Sequence, residues 1–392
     1  MIESWRWYGP LDTITLPEVA QTRASGIVTA LHEIPYGEVW TVSDIRARQA
    51  MIGERPDLGL SWIVTESLPV HEDIKRGSGN LDKLFGNYRK SLRNLAECGV
   101  TTVCYNFMPL LDWTRTRLDA PVPGGGTALQ FSTPHMAAFE IHILGRKKAK
   151  NDYSADVRAA GEKWFSRSTQ EDRNTLLASI MAGLPGAYTR YSVEELKEAL
   201  SKYQGISREH LRTNFARFLA EIIPTADELG MRMCVHPDDP PRDILGLPRI
   251  VSNEEDIAWI LAQHDSLANG LTLCSGSLGA NPANDLPAIA SRFADRIHFA
   301  HLRNVRRESN GSFQEAAHLD GDTDMVALVK VLLDEEARRR LVGRTDADIP
   351  FRPDHGHELL DDFKRQAFPG YHLTGRMCGL AELRGVIAAL RH

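Results

Sequence analysis

The sequence has few cysteines, and their spacing excludes a disulfide framework. It holds five, far apart along the chain and without any Cys-x-x-Cys pair. An odd, scattered set of thiols is typical of a protein in a reducing compartment. We therefore expect a cytoplasmic protein in which a thiolate is available as a metal ligand.

Long apolar runs and clustered charge are also missing. No stretch approaches the roughly 20 apolar residues that cross a bilayer, and Met1–Tyr8 lacks the apolar core of a signal peptide. The 46 Lys and Arg residues are interleaved with 52 Asp and Glu residues, for a net charge of -6. Because nucleic-acid binding needs a clustered basic face, the expected partner is a small molecule, with neither membrane nor nucleic acid involved.

Short apolar runs that end in polar residues recur along the chain and alternate with helical patterns. Such alternation predicts parallel βαβ units, and seven strands in 392 residues favour a closed (β/α)₈ TIM-type barrel over an open sheet. Phe139 to Leu144 is one candidate for the eighth strand, although a helix suits it equally. With no internal repeat or flexible linker, residues 1–392 are interpreted as a single domain. The seven predicted strands are Ile27 to Leu31, Leu60 to Val64, Thr101 to Tyr105, Met231 to Val235, Leu271 to Leu273, Ile297 to Ala300 and Ile349 to Arg352.

One interval is too long for a single barrel repeat. Between Asp112 and Gly230 the chain has room for an inserted segment, which we place at about residues 113–205 and expect to cover the active site. It contains a Pro/Gly-rich loop, 121–126. The predicted helices of this insert are Ala155 to Arg167, Gln170 to Met181 and Val193 to Tyr203.

Four potential metal ligands follow the ends of predicted strands: His236, Cys274, His301 and Asp354. The carboxyl ends of barrel strands meet on one face, so these residues are expected to be neighbours. Two imidazoles, a thiolate and a carboxylate suit a borderline divalent ion such as Mn²⁺, Fe²⁺, Co²⁺ or Zn²⁺ rather than Ca²⁺ or Mg²⁺. A lone histidine after a strand is usually structural, but four candidates at four strand ends favour a metal site.

Proton-transfer candidates lie in the last part of the chain. Asp354 and His355 are adjacent, and residues at adjacent strand positions point to opposite sides. We assign Asp354 to the metal and His355 to proton transfer, and the inverted assignment is open. Tyr371 is a second candidate, as an acid or a hydroxyl contact, with simple packing as the alternative.

A further polar cluster follows the third predicted strand. Asn106 and Arg115 combine an amide and a guanidinium, which suit a hydroxylated, anionic ligand. An ordinary loop with a structural Arg–Asp pair is the alternative for either residue. In the segment from His236 to Pro241, Asp238 or Asp239 is expected either to orient His236 or to cap a rigid turn.

Taken together, these stretches resemble the mannonate dehydratase family, in the family's order and over nearly the whole chain. The matching stretches are Arg6-Trp7-Tyr8-Gly9-Pro10, residues 26–32 and 37–40, Cys104-Tyr105-Asn106-Phe107-Met108-Pro109, Asp112-Trp113-Thr114-Arg115, residues 236–241 and 246–251, Asn269-Gly270 with Cys274, His301-Leu302-Arg303, residues 353–357 and 379–382.

The resemblance implies a xylose-isomerase-like barrel that dehydrates D-mannonate to 2-keto-3-deoxy-D-gluconate (2-dehydro-3-deoxy-D-gluconate), a step of hexuronate (glucuronate) breakdown. It implies Mn²⁺ or Fe²⁺ as cofactor, with His236, Cys274, His301 and Asp354 as ligands. His355 and Tyr371 would then transfer protons.

Arg303, in the matching stretch after His301, joins Asn106 and Arg115 as an expected substrate contact. A homo-oligomer, most simply a dimer, is expected. The rival enzyme class is a metal-dependent sugar isomerase or epimerase on the same barrel, and the rival outside catalysis is a sugar-acid-binding protein.

Overall fold

The computed structural model describes residues 1–183 and 191–391. Eight parallel strands close into a barrel with the order β1-β12-β9-β8-β7-β4-β3-β2, which confirms the predicted (β/α)₈ fold. The strands in these two ranges are β1 Ile2–Arg6, β2 Gly26–Thr29, β3 Ser61–Glu66, β4 Thr102–Tyr105, β5 Arg117–Pro121, β6 Thr127–Phe131, β7 Arg232–Val235, β8 Asn269–Cys274, β9 Ile297–His301, β10 Asn304–Arg307, β11 Phe313–Ala316 and β12 Pro350–Arg352.

Helices surround the barrel and connect its strands. A large apolar core lies between the helices and the outer face of the barrel. The α-helices within the described residues are α1 Leu16–Gln21, α2 Val42–Gly53, α3 Glu72–Arg76, α4 Leu81–Glu97, α5 Thr133–Ala138, α6 Ala155–Arg167, α7 Gln170–Ile180, α8 Val193–Ser201, α9 Arg208–Glu228, α10 Glu254–Gln263, α11 Ser275–Gly279, α12 Leu286–Arg292, α13 Met325–Leu341 and α14 Leu373–Leu390.

The eighth strand is β1, at the start of the chain, so the candidate from Phe139 to Leu144 was wrong. Residues Phe139–Ile143 form a π-helical turn that continues α5. β1 escapes a pattern search because Glu3 and Arg6 interrupt its five residues. It is a barrel strand because β2 and β12 pair with it on both sides.

Two prolines lie within regular elements. Pro350 begins β12, where it pairs with Ile2 of β1. Pro224 lies inside α9, which continues to Glu228. The buried residues on either side of this proline, Ile223 and Thr225, keep the helix packed on the barrel.

The region between β4 and β7 contains both helices and a hairpin. α6, α7 and α8 lie where the sequence predicts helices, and residues 184–190 of the predicted insert 113–205 lie outside the described residues. β5 and β6 form a hairpin there that the sequence analysis missed. They join β10 and β11, from the connection after β9, in an antiparallel sheet of order β10-β11-β6-β5.

The inside of the barrel has an apolar layer beneath a polar one. Val28, Val64, Cys104, Cys234 and Phe299 pack together within the barrel. The polar side chains of the candidate site lie above this apolar layer, toward the carboxyl ends of the strands.

Candidate metal centre and active site

β7, β8, β9 and β12 are neighbours in the barrel, and their carboxyl ends bring four predicted residues together. Cys274 ends β8 and His301 ends β9. His236 follows β7 directly, and Asp354 lies two residues after β12. Closure of the barrel therefore places these residues at one mouth.

The His236 imidazole is held in a defined tautomer. Its Nδ1 lies 2.7 Å from the Pro237 carbonyl oxygen, so Nδ1 carries the proton and donates it. Nε2 keeps its lone pair and lies 3.1 Å from Nδ1 of His301. The expectation that Asp238 or Asp239 orients this ring was wrong, because the Pro237 carbonyl does so.

His301 is fully buried and faces both His236 and a carboxylate. Its Nε2 has no hydrogen-bond partner among the described residues and lies 3.3 Å from Oε2 of Glu66. A proton on Nε2 would point at that carboxylate and leave a lone pair on Nδ1. Two imidazole lone pairs 3.1 Å apart need a proton or a cation between them, so this pair of rings suits a bound ion.

Cys274 supplies the third donor. The Sγ atom lies 3.1 Å from Oγ of Ser277 and 3.6 Å from Oδ2 of Asp354. One donor atom from each of Cys274, His236 and His301 lies within 4.8 Å of the others. Two imidazoles and a thiol within this distance can hold one borderline divalent metal ion.

Asp354 lies at the edge of this group. Oδ1 is 3.9 Å from Nδ1 of His301, and Arg352 and Arg303 both contact the carboxylate. Burial alone would raise the pKa of Asp354, but the two arginines outweigh it and hold that pKa well below its usual range. The group is therefore a carboxylate, and its φ of 60° turns the chain toward the site.

His355 and Tyr371 lie side by side next to these donors. Their ring centroids are 4.9 Å apart, in an edge-to-face arrangement. Nδ1 of His355 lies 2.7 Å from both Oε1 of Glu315 and Nη1 of Arg303, which leaves Nε2 as the ring nitrogen available for proton transfer. Burial raises the pKa of the Tyr371 hydroxyl to about 12, although Arg352 opposes the rise.

Arg115 and Arg303 belong to one buried ion-pair network. Arg115 makes two contacts with Asp239, of 2.7 and 3.0 Å. Arg303 donates to Asp239 at 2.8 Å, and both arginines contact Oε1 of Glu315. Arg303 lines the cavity, whereas Arg115 is fully buried behind Asp239 and is not among the lining residues.

Asn106 lies on the cavity wall. Its Nδ2 donates to Oδ2 of Asp112 at 2.7 Å, and its Oδ1 has no partner within the described part of the chain. Burial raises the pKa of Asp112 to about 6. The free amide oxygen can accept a hydrogen bond from a ligand hydroxyl.

These side chains line one small cavity at the mouth of the barrel, and most of them are polar. The cavity-lining residues are Glu66, Asn106, Asp112, Trp113, His236, Asp239, Arg303, Arg352, Asp354, His355 and Tyr371.

Two residues of the site, Glu66 and Glu315, were missed in the sequence analysis. Glu66 ends β3 and pairs with Arg352 at 2.6 and 3.0 Å, so its position at a strand end was the available signal. Glu315 lies on β11, a strand of the small sheet that was not predicted, and nothing in its local sequence points to the site.

Within residues 1–183 and 191–391, no helix is long and apolar enough to cross a membrane.

Comparison with known proteins gives a consistent result. The family model described as D-mannonate dehydratase (UxuA) matches residues 1–392. A mannonate dehydratase of Chromohalobacter salexigens is 52% identical over 392 residues, covering 100% of this chain and 99% of that protein. One from a Marinomonas species is 50% identical, with the same coverage.

Among solved structures, the mannonate dehydratase of Streptococcus suis serotype 2 superposes with a TM-score of 0.76 at 36% identity, covering 100% of this chain and 93% of that one. The full-length family match, the two relatives and this structure agree with each other. The chain therefore belongs to the D-mannonate dehydratase family.

Proposed function

We propose that this chain dehydrates D-mannonate to 2-dehydro-3-deoxy-D-gluconate and water, as a step of hexuronate breakdown. The observation that carries the proposal is the position of His355 and Tyr371, which line the same cavity as His236. His236 in turn belongs to the donor group that it forms with Cys274 and His301. Dehydration of a sugar acid requires proton-transfer groups and metal-binding groups at a single site.

The proposed metal ligands are His236, Cys274, His301 and Asp354, with Mn²⁺ or Fe²⁺ as the ion. The thiol and the two imidazoles favour such an ion over Mg²⁺, and the Asp354 carboxylate next to them would complete the set. When bound, the ion supplies a positive charge that stabilises the negative charge developing on the substrate.

The reaction removes the proton from C2 and the hydroxyl group from C3. We assign proton removal to Nε2 of His355, because Glu315 occupies Nδ1. Tyr371, with a pKa of about 12, keeps its proton at neutral pH and can donate it to the departing hydroxyl, which leaves as water. The enol that remains then tautomerises to the 2-keto acid.

Asn106 and Arg303 are the proposed substrate contacts, since both line the cavity. Arg115 is proposed as a positioning residue that acts through Asp239, because the ion-pair network occupies its guanidinium. The insert at about 113–205 is proposed as the cap of a single domain, and its Trp113 lies on the cavity wall. We also propose that the chain forms a homodimer and that it acts in the cytoplasm.

The test is anaerobic incubation of metal-free protein with D-mannonate, with and without added Mn²⁺ or Fe²⁺. We expect a 2-keto-3-deoxy acid, 18 mass units lighter than the substrate through loss of one water, only when metal is present. A product of unchanged mass would indicate an isomerase or epimerase instead. No product from folded, metal-loaded protein would overturn the proposal.

A further inference from the structure

A second polar cluster lies across the barrel mouth from His236. It consists of Arg6 at the end of β1, with Tyr8 and His32 beside it, and we call it the Arg6 cluster. In the barrel order, β1 is four strands from β7 in either direction, so this cluster and His236 lie on opposite sides of the mouth.

Arg6 points into the barrel. It pairs in register with Val28, which belongs to the apolar layer inside the barrel. Side chains opposite each other on neighbouring strands share a face, so the guanidinium lies above that layer, at the mouth. Only 1% of Arg6 is exposed.

The Arg6 guanidinium has no anionic partner. Within the described residues, no carboxylate lies within 4.0 Å of it, and its only hydrogen-bond contact is Nη2 to Nε2 of His32, at 3.2 Å. Nε and Nη1 have no partner. By contrast, Arg352 contacts both Glu66 and Asp354.

None of the side chains in contact with Arg6 carries a negative charge, and the carboxylates of Glu66 and Asp12 interact with it only from a longer distance. The guanidinium carbon lies 4.8 Å from the Tyr8 ring centroid, and the buried Tyr8 hydroxyl lies next to the Tyr371 hydroxyl. Burial, reinforced by Arg6, holds the pKa of His32 well below its usual range, so His32 is neutral. A buried, unpaired cation is costly unless an anion joins it.

The Arg6 cluster adjoins the proposed proton donor. The rings of Tyr8 and Tyr371 pack edge to face with centroids 5.0 Å apart. Tyr371 in turn packs on His355. Tyr371 lines the cavity, whereas Arg6, Tyr8 and His32 do not. A ligand anion on Arg6 would therefore lie one side chain away from the groups that are proposed to transfer protons.

We propose that Arg6, assisted by the Tyr8 hydroxyl, binds the carboxylate of the sugar-acid substrate and so selects an acid over a neutral sugar derivative. This inference rests on the proposed function and adds to it the group that recognises the negative charge of the substrate. Free guanidinium N–H groups make strong, charge-assisted hydrogen bonds to a carboxylate.

The test compares D-mannonate with D-mannonamide, which keeps the hydroxyl groups but carries no charge. In the Mn²⁺-loaded full chain, Arg6→Gln is expected to raise the KM for D-mannonate by about 10- to 100-fold. The inhibition constant of D-mannonamide should change by less than about threefold, because the amide makes no charged contact. An equal loss for both compounds, or no change for either, would overturn the proposal.

A matched control is Arg339→Gln, a residue of α13 that contacts the amino end of β9. Arg339 is also buried, but Glu335 and the backbone carbonyls of Ala294 and Ile297 occupy its guanidinium. The control should lose thermal stability and keep its KM. Ligand-free Arg6→Gln should melt no lower than the parent, whereas a clear drop would indicate a purely structural role.

Failure of the proposed function gives a different result. If the unaltered, metal-loaded chain does not convert D-mannonate, the proposed activity is wrong. Calorimetric binding of D-mannonate and D-mannonamide still tests whether Arg6 distinguishes the charged compound from the neutral one. If the unaltered chain turns over D-mannonate and Arg6→Gln leaves both constants unchanged, only the Arg6 inference is wrong.

Discussion

Cys274 is the residue that distinguishes the proposed metal site from a group of buried histidines. Its Sγ lies near both Ser277 and Asp354 within the polar layer of the barrel. A thiolate favours a borderline metal ion over Mg²⁺, so the identity of this one side chain affects which ion the site selects.

Cys274→Ser should weaken metal binding by at least about tenfold, because a hydroxyl is a poor substitute for a thiolate ligand. Metal per chain after dialysis, measured by elemental analysis, tests this. Cys234→Ser is the control: Cys234 is also buried in the barrel but lies in the apolar layer, so its replacement should leave the metal content unchanged. Full metal content in Cys274→Ser would remove Cys274 from the ligand set.

His355→Asn should lower kcat by about 10²- to 10⁴-fold, the usual contribution of a general base. Metal content should stay at the parent value, because His355 is not in the group of three donors. Steady-state rates and elemental analysis of the same preparation test both points. Activity at the parent level would contradict the proposed role.

At the scale of elements, α14 packs against His318, which supports the segment that carries Asp354. Gly379 of this helix lies against His318, whose Nε2 contacts the Pro353 carbonyl next to Asp354 at 2.6 Å. A Cβ at position 379 would lie 2.1 Å from Cε1 of His318. The close approach of α14 to the metal-site loop therefore requires a glycine there.

The same substitution at two positions of α14 should have opposite effects. Gly379→Ala forces His318 to move and should cost about 1–3 kcal/mol of unfolding free energy. Gly385→Ala, where no atom lies within 4 Å of the added Cβ, should stabilise the helix by up to about 1 kcal/mol. Urea unfolding measures both values, and a loss at position 385 matching that at 379 would contradict the packing argument.

At the scale of the molecule, the barrel and the metal site have separate sources of stability. The barrel is closed by strand pairing on all sides and covered by a large apolar core. The proposed metal ligands occupy only the mouth. The fold is therefore expected to persist without metal, unlike a small domain that folds around its ion.

Removal of the metal should lower the melting temperature by about 5 °C, the effect of a ligand present at roughly 100 times its Kd on a chain of this size. The far-ultraviolet circular dichroism spectrum should be unchanged. Thermal melts with and without a chelator test this, with Mn²⁺ added back as the control. Loss of helical signal on chelation at room temperature would show that the metal is needed for folding.

Much of the site was predictable because its residues follow local patterns. Apolar runs that end in His236, Cys274 and His301 identify strand ends, and strand ends in a parallel barrel converge. Periodicity also placed seven of the strands and the helices α6, α7 and α8. Glu66 followed a predicted strand too, although only its contact with Arg352 shows that it belongs to the site.

The sequence by itself determined the barrel class and the set of candidate ligands, since both depend on periodicity and on residue type at strand ends. Tertiary structure alone decided how those groups are paired. It placed Glu315 on His355, moved Arg115 behind Asp239 and left Arg6 without an anion. The reason is physical: strand order, barrel closure and the small sheet join residues hundreds of positions apart, and no local pattern encodes which charges then meet.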